Sequence, residues 1–139
     1  MSLYLLDTNI VSDLMHDPDG RAARAARKIN SVKPEAQFHI SVVVDCELRY
    51  GLARKPQPRL QAAYDRTVAM LNIEPLGLEV ADHYAQLRSQ MATNGHGLDA
   101  NDTLIAAHAL ALGATLVSAD AAFSRVPGLA LENWLREES

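Results

Sequence analysis

The sequence predicts an α/β fold, a parallel sheet with helices on both faces. Three observations carry that expectation. Short apolar runs alternate with stretches of helical period from the first residues onward, which is the pattern of repeated strand–helix units. Runs such as Leu3–Leu6 and Ile40–Val44 are close to continuously apolar, as strands buried on both faces are. Acidic residues recur just past these runs or at the helix starts that follow them, at Asp7, Glu47, Asp102 and Asp120. Open α/β sheets place their sites at that carboxyl edge.

In chain order, the first strand falls at about 3–6, with a short helix starting near Asn9. Arg and Ala, both good helix formers, fill a second helix over about 19–32, which Pro34 ends. A second strand at about 37–43 leads into a helix at about 44–53. Lys55-Pro56-Gln57-Pro58 is a break too short to link two domains. Leu60, Tyr64, Val68 and Leu71 then recur at helical spacing, as do Val80, Tyr84, Leu87 and Met91. These predict helices at 57–71 and 79–92 with a short strand at Ile73–Leu76 between them. Pro75 makes that strand an edge or a strand end. Asn94-Gly95-His96-Gly97 is a loop, followed by a buried helix at about 100–112 capped by Gly113. Strands at about 114–119 and 128–131 complete the pattern. No internal repeat or low-complexity tract is seen, so residues 1–139 read as a single domain.

Hydrophobic residues make up 48% of the 139, enough for a packed core. No apolar run approaches the roughly 20 residues of a membrane span, and the start lacks the pattern of a secretory signal. With Cys46 as the single cysteine there is no internal disulfide, which fits a cytoplasmic protein. Cys46 reads as a small buried hydrophobe. The net charge of −4 argues against general coating of nucleic acid. Setting aside the four acids above leaves acidic and basic residues in balance. Two basic groups remain, Arg21, Arg24, Arg27 and Lys28, then Arg49, Arg54, Lys55 and Arg59. Each is either a solvated helix face or a track for a phosphate backbone.

Taken singly, each acid has a structural reading. Asp7-Thr8-Asn9 suits a helix cap or a turn. Asp99 and Asp102 suit the first turn of a helix, with Asp99 as the cap. Glu47 would pass for a surface residue and Asp120 for a turn. Together, four carboxylates at one edge repel one another and raise their own pKa values. A hard divalent cation, Mg²⁺ or Mn²⁺, relieves that repulsion. Other hydrolytic chemistries lack their residues. There is no zinc-spaced His–Cys pair, no glycine-rich phosphate loop and no Gly-x-Ser-x-Gly elbow. His108, inside Ala106-Ala107-His108-Ala109-Leu110, reads as a hydrogen-bonded core residue, and His96 as a loop residue.

These residues resemble the PIN-domain ribonucleases, specifically the VapC-type toxins of prokaryotic toxin–antitoxin pairs, from Tyr4 to about Leu135. The resemblance is carried by Leu5-Leu6-Asp7-Thr8-Asn9-Ile10-Val11-Ser12, Glu47-Leu48-Arg49-Tyr50-Gly51 and Asn101-Asp102-Thr103-Leu104-Ile105-Ala106-Ala107. Thr115–Ser118, Val126–Leu129 and Glu132–Leu135 extend it. It implies Mg²⁺- or Mn²⁺-dependent endonucleolytic cleavage of RNA, with structured RNA such as tRNA as target. Asp7 and Asp102 would be the principal metal ligands, with Glu47 and Asp120 completing the acidic ring. Thr8 and Asn9 would stand close behind them, and Arg49 would meet the RNA backbone. The resemblance further implies a homodimer, held inactive by a cognate VapB-type antitoxin. The apolar stripes of the helices at 57–71 and 79–92 are the surface a dimer would shield.

Three rival readings lack the residues or the losses they require. A phosphatase of the haloacid dehalogenase kind needs Asp-x-Asp, and the second acid is replaced here by Asn9. A phosphorylation receiver needs paired acids after its first strand and a late lysine, neither of which is present. A non-catalytic acidic-pocket module binding RNA or protein would show lost acids, whereas all four are kept.

Overall fold

The computed structural model describes residues 2–31, 36–93, 95 and 97–135. Among these, the order is β1 (Ser2–Leu6), α1 (Thr8–His16), α2 (Ala23–Asn30), β2 (Ala36–Ser41), α3 (Val42–Arg54) and α4 (Pro58–Val68). Then come β3 (Asn72–Glu74), α5 (Leu78–Thr93), α6 (Ala100–Leu112), β4 (Thr115–Val117), a 3₁₀ turn (Ala121–Arg125) and β5 (Leu131–Glu132). The strands form one sheet in the order β3-β2-β1-β4-β5, and every pairing is parallel. Leu5 and Leu6 on β1, and Leu116 and Val117 on β4, have no exposed surface. Successive strand residues point to opposite faces, so both faces of the sheet centre are covered. That is the predicted α/β architecture.

The strand order fixes where a site can form. From β1 the chain moves outward to β2 and β3 on one side, then crosses back to β4 and β5 on the other. The connections diverge between β1 and β4, and ligands of open α/β sheets bind in the crevice beyond the carboxyl ends at such a switch point. Asp7 follows β1, and Ser118 to Asp120 follow β4.

Local chemistry sets the element ends. Ser41 closes β2 and caps α3, its hydroxyl accepting the Val43 N–H at 3.1 Å. The strand therefore stops two residues short of its expected end, and Val42, Val43 and Val44 enter the helix despite their β-branched side chains. A serine cap, stabilising by about 1 kcal/mol, together with burial of Val43 and Val44, outweighs a small propensity cost. The second helix starts at Ala23 rather than near 19, because Asp17 to Ala22 form turns. Its foreseen end at Pro34 and the loop residue His96 lie outside the described residues. The predicted helix over 100–112 runs over those residues, from an Asp99 cap to Gly113, whose φ of 66° is left-handed. Gly supplies that conformation without steric cost.

Two expectations are corrected. Cys46 is exposed on α3 rather than buried. The apolar stripes of α4 and α5 are largely occupied within the chain, since Tyr64 on α4, Leu71 just after it, and Val80, Leu87 and Met91 on α5 are buried. The large apolar residues left exposed are Tyr50, Met70, Ile73, Leu76 and Leu78. Four of them lie on or beside β3, an edge strand of the sheet.

Three members of the first basic group have partners within the chain. Arg21 pairs with Asp13 at 2.7 Å, Arg24 donates to the Asn133 carbonyl at 3.2 Å, and Lys28 lies over the Trp134 ring. Trp134 itself is buried against Tyr4 and Phe38, so Arg24 and Lys28 fasten α2 to the Asn133–Trp134 segment.

Candidate metal centre

Asp7 is the best-fixed acid. It caps α1, with Oδ1 accepting the Thr8 N–H at 2.8 Å. Oδ2 accepts the Ser118 hydroxyl at 2.8 Å and the Asn9 amide at 3.4 Å. The Asp7 N–H continues the strand ladder to the Val117 carbonyl at 2.9 Å. Asn9 also joins the two strand ends, donating to Ser118 Oγ at 3.3 Å and accepting the Ala119 N–H at 3.2 Å. Ser118, 2% exposed, accepts the Asp120 N–H at 3.0 Å as well. This serine is the polar centre of the junction, and sequence reasoning placed it only within a motif. Its signal was its position, directly after a buried strand and beside Asp120.

Asp120 caps the 3₁₀ turn by accepting the Ala122 N–H at 2.9 Å. Glu47 projects from the second turn of α3, and Asp102 from the first turn of α6. Asp99 caps α6 as expected, accepting the Asp102 N–H at 2.7 Å. It is also a fifth member of the acidic group, because its charge acts on Asp7, Glu47 and Asp102.

The electrostatics show how crowded the edge is. Burial raises the Asp7 pKa first of all. The Ser118 and Thr8 hydrogen bonds lower it, and the charges of Asp120 and Asp99 raise it again. Burial and the Asp7 charge raise Glu47, while the Thr8 hydroxyl works in the other direction. Asp102 is pushed up to about 6, by burial and then by Asp99, Asp7, Asp120 and Glu47. A carboxyl group moved that far by burial and by four like charges is one whose ionised form a nearby cation would stabilise.

The donor set suits a hard divalent ion. It is all oxygen, and the buried Thr8 hydroxyl lies beside Glu47 at the same edge. Among the described residues, no three Asp, Glu, His or Cys side chains close tightly enough to grip one ion by themselves. Mg²⁺ tolerates that openness, because it usually keeps several waters and takes only one or two protein carboxylates.

Arg49 is placed elsewhere. Its Nε donates to Asp45 Oδ2 at 2.8 Å, and Asp45, 5% exposed, also accepts the Tyr64 hydroxyl. Two residues along an α-helix turn the side chain by about 200°, so Arg49 leaves α3 on a different face from Glu47. Asp45 is a structural carboxylate that sequence reasoning missed, although the i,i+4 spacing Asp45–Arg49 was there to read. His108 behaves as expected of a core histidine. It is 1% exposed, with Nδ1 at 2.8 Å from Ser41 Oγ.

The chain is similar to several known proteins. The model of the PIN domain family matches residues 4–129. Ribonuclease VapC2 of Rickettsia felis is 34% identical over 135 residues, covering 95% of this chain and 98% of that protein. The tRNA(fMet)-specific endonuclease VapC of Shigella flexneri is 29% identical, covering 96% and 99%. Among solved structures, VapBC2 from Rickettsia felis bound to a DNA fragment from its promoter superimposes with a TM-score of 0.85 at 31% identity, covering 95% and 98%. Asp7, Glu47, Asp102 and Asp120 all lie inside the matched region. The chain belongs to the PIN-domain family and is of the VapC type.

Proposed function

We propose that this chain is a Mg²⁺- or Mn²⁺-dependent endoribonuclease, the toxin of a type II toxin–antitoxin module, acting in the cytoplasm on a structured RNA such as tRNA. The observation that supports it best is the group of carboxylates raising one another at the β1/β4 switch point, with Asp7 held by Ser118, Asn9 and the Thr8 N–H. Asp7 and Asp102 are the residues to hold the metal, with Glu47 and Asp120 joining directly or through water. A bound divalent cation supplies acidity to the attacking water and offsets charge on the phosphoryl oxygens. The chain supplies position. Asp7 is locked at both oxygens, the α6 N-terminus favours negative charge near Asp102, and the Thr8 hydroxyl beside Glu47 is in reach of a metal-bound water or a phosphate oxygen. Without a cation the same acids repel the RNA backbone, so the metal-free protein is inert.

The reading extends to assembly. The exposed apolar residues around edge strand β3 are the surface a homodimer shields, and they replace the α4 and α5 stripes in that role. A VapB-type antitoxin is the restraining partner. A basic side chain from it, placed near Asp7 and Asp102, relieves the same repulsion as the metal and competes with it.

The test is purification free of any antitoxin, followed by mapping of RNA ends with Mg²⁺, with Mn²⁺ and with EDTA, using Asp7→Asn as control. New ends that require metal and Asp7 are expected. Undiminished cleavage in chelator refutes the metal assignment. Co-expression with the small protein encoded alongside should restore growth and suppress cleavage, and failure to do either refutes the toxin assignment alone.

A further inference from the structure

A cleft of about 370 Å³ lies between α3 and α6, lined by Val43, Cys46, Glu47, Tyr50, Asn101 and Leu104. Its volume is in the range of small-molecule clefts, roughly 300–1,000 Å³. Two helical stripes build it. Residues three and four apart share a helix face, so Val43, Cys46, Glu47 and Tyr50 form one wall, and Asn101 and Leu104 the other. Glu47 therefore belongs both to this wall and to the acidic group, and Asn101 directly precedes Asp102. The cleft is continuous with the candidate centre.

Its chemistry differs from that of the centre. Val43 and Leu104 give an apolar floor and Asn101 an amide with both donor and acceptor. Tyr50 is 64% exposed, a large aromatic left in water at the rim. Its hydroxyl accepts from Arg54 Nη1 at 3.1 Å, which sets the ring's direction and brings a cation beside it. An aromatic face, an adjacent guanidinium and an amide are what single-stranded nucleic acid uses, by base stacking, phosphate pairing and edge hydrogen bonds.

We propose that this cleft receives an unpaired nucleobase next to the cleaved phosphate, stacked on Tyr50, read by Asn101 and with its phosphate near Arg54. The inference rests on the ribonuclease reading and adds a requirement for an unstacked base. Tyr50 is a specificity-determining residue rather than a catalytic one.

The test uses the full chain carrying Asp7→Asn, so that RNA is bound without being cut. The probe is a short stem–loop with a fluorescent purine analogue in the loop, compared with a fully paired duplex. Tyr50→Ala should weaken stem–loop binding roughly tenfold or more and abolish quenching of the analogue, leaving duplex binding unchanged. Tyr50→Phe and Tyr50→Trp should retain both signals. Equal affinity and quenching in Tyr50→Ala overturn the proposal while leaving the ribonuclease reading intact. A chain that neither binds nor, as wild type, cuts any RNA overturns both. If sedimentation shows that Tyr50→Ala turns a dimer into monomers, the cleft is a self-interface and the proposal fails.

Discussion

Asp102→Asn gives the sharpest test of the acidic centre, because its effect on stability should change sign with conditions. The Asp102 carboxyl moves from 3.8 to about 6 on folding. A raised folded pKa means that the native state binds the proton more tightly than the unfolded chain does. The stability from this group is therefore complete below the unfolded value near pH 4, and is lost as pH rises through the folded value near 6. At about 1.4 kcal/mol per tenfold change in proton affinity, that loss would be about 3 kcal/mol. Asp102 is half-exposed, and solvent screening reduces the figure to about 1–1.5 kcal/mol. Asparagine keeps the shape and removes the charge. It also gives up a favourable charge at a helix N-terminus, about 0.3–1 kcal/mol. The net gain in chelator near neutral pH is then at most about 1.2 kcal/mol, a rise in Tm of up to roughly 5 °C for a chain of this size.

The assay is a set of thermal melts by circular dichroism of wild type and variant, in EDTA across the acid-to-neutral range and again in Mg²⁺. Near pH 4 the gain should vanish, since wild-type Asp102 is then protonated in the native state. In saturating Mg²⁺ the order should reverse, because only the wild type keeps the stabilisation that ligand binding adds. A variant less stable than wild type in neutral chelator would show that Asp102 is not repelled by its neighbours. A gain that persists unchanged at low pH would show that its origin is not charge.

Three further outcomes follow from the same geometry. Ser118→Ala removes the hydrogen bond that lowers the Asp7 pKa, so the acid limb of the pH–rate profile should move to higher pH and cleavage should fall about tenfold; Ser118→Thr should restore both, and an unmoved acid limb would deny Ser118 that role. Asp99→Asn keeps a helix cap of similar strength and removes the like charge acting most on Asp102. The acid limb should move to lower pH with activity within a few-fold, and a loss as large as that of Asp7→Asn would identify Asp99 as a ligand. Tyr64→Phe leaves buried Asp45 with Arg49 alone, which should cost about 1–3 kcal/mol in denaturant titrations without altering cleavage rate. Equal stability would show that the Asp45–Tyr64 contact contributes nothing.

What the sequence disclosed and what it withheld divide along a physical line. Position along the chain was legible. The α6 boundaries carried their own markers in Asp99 and Gly113, and Asp7, Glu47, Asp102 and Asp120 all stood where strand ends and helix starts should meet. Direction around a helix was not. Glu47 and Arg49 are two residues apart and were read together, yet the helical turn between them sends one toward the acids and the other to Asp45 and Tyr64. Competition between local preferences was also hidden. The run from Ile40 to Val44 reads as strand until the Ser41 hydroxyl takes the Val43 N–H and starts α3 early. Ser118 was the hardest to see, because a serine after Leu116-Val117 has no signature of its own. It acquires its role only when β4 pairs with β1 and brings its hydroxyl to Asp7, 111 residues away in the chain. The acids at the switch point are thus held by a contact that exists only in the folded chain. Loss of the β1/β4 junction should therefore disorder the centre before it unfolds the helices that carry Glu47 and Asp102.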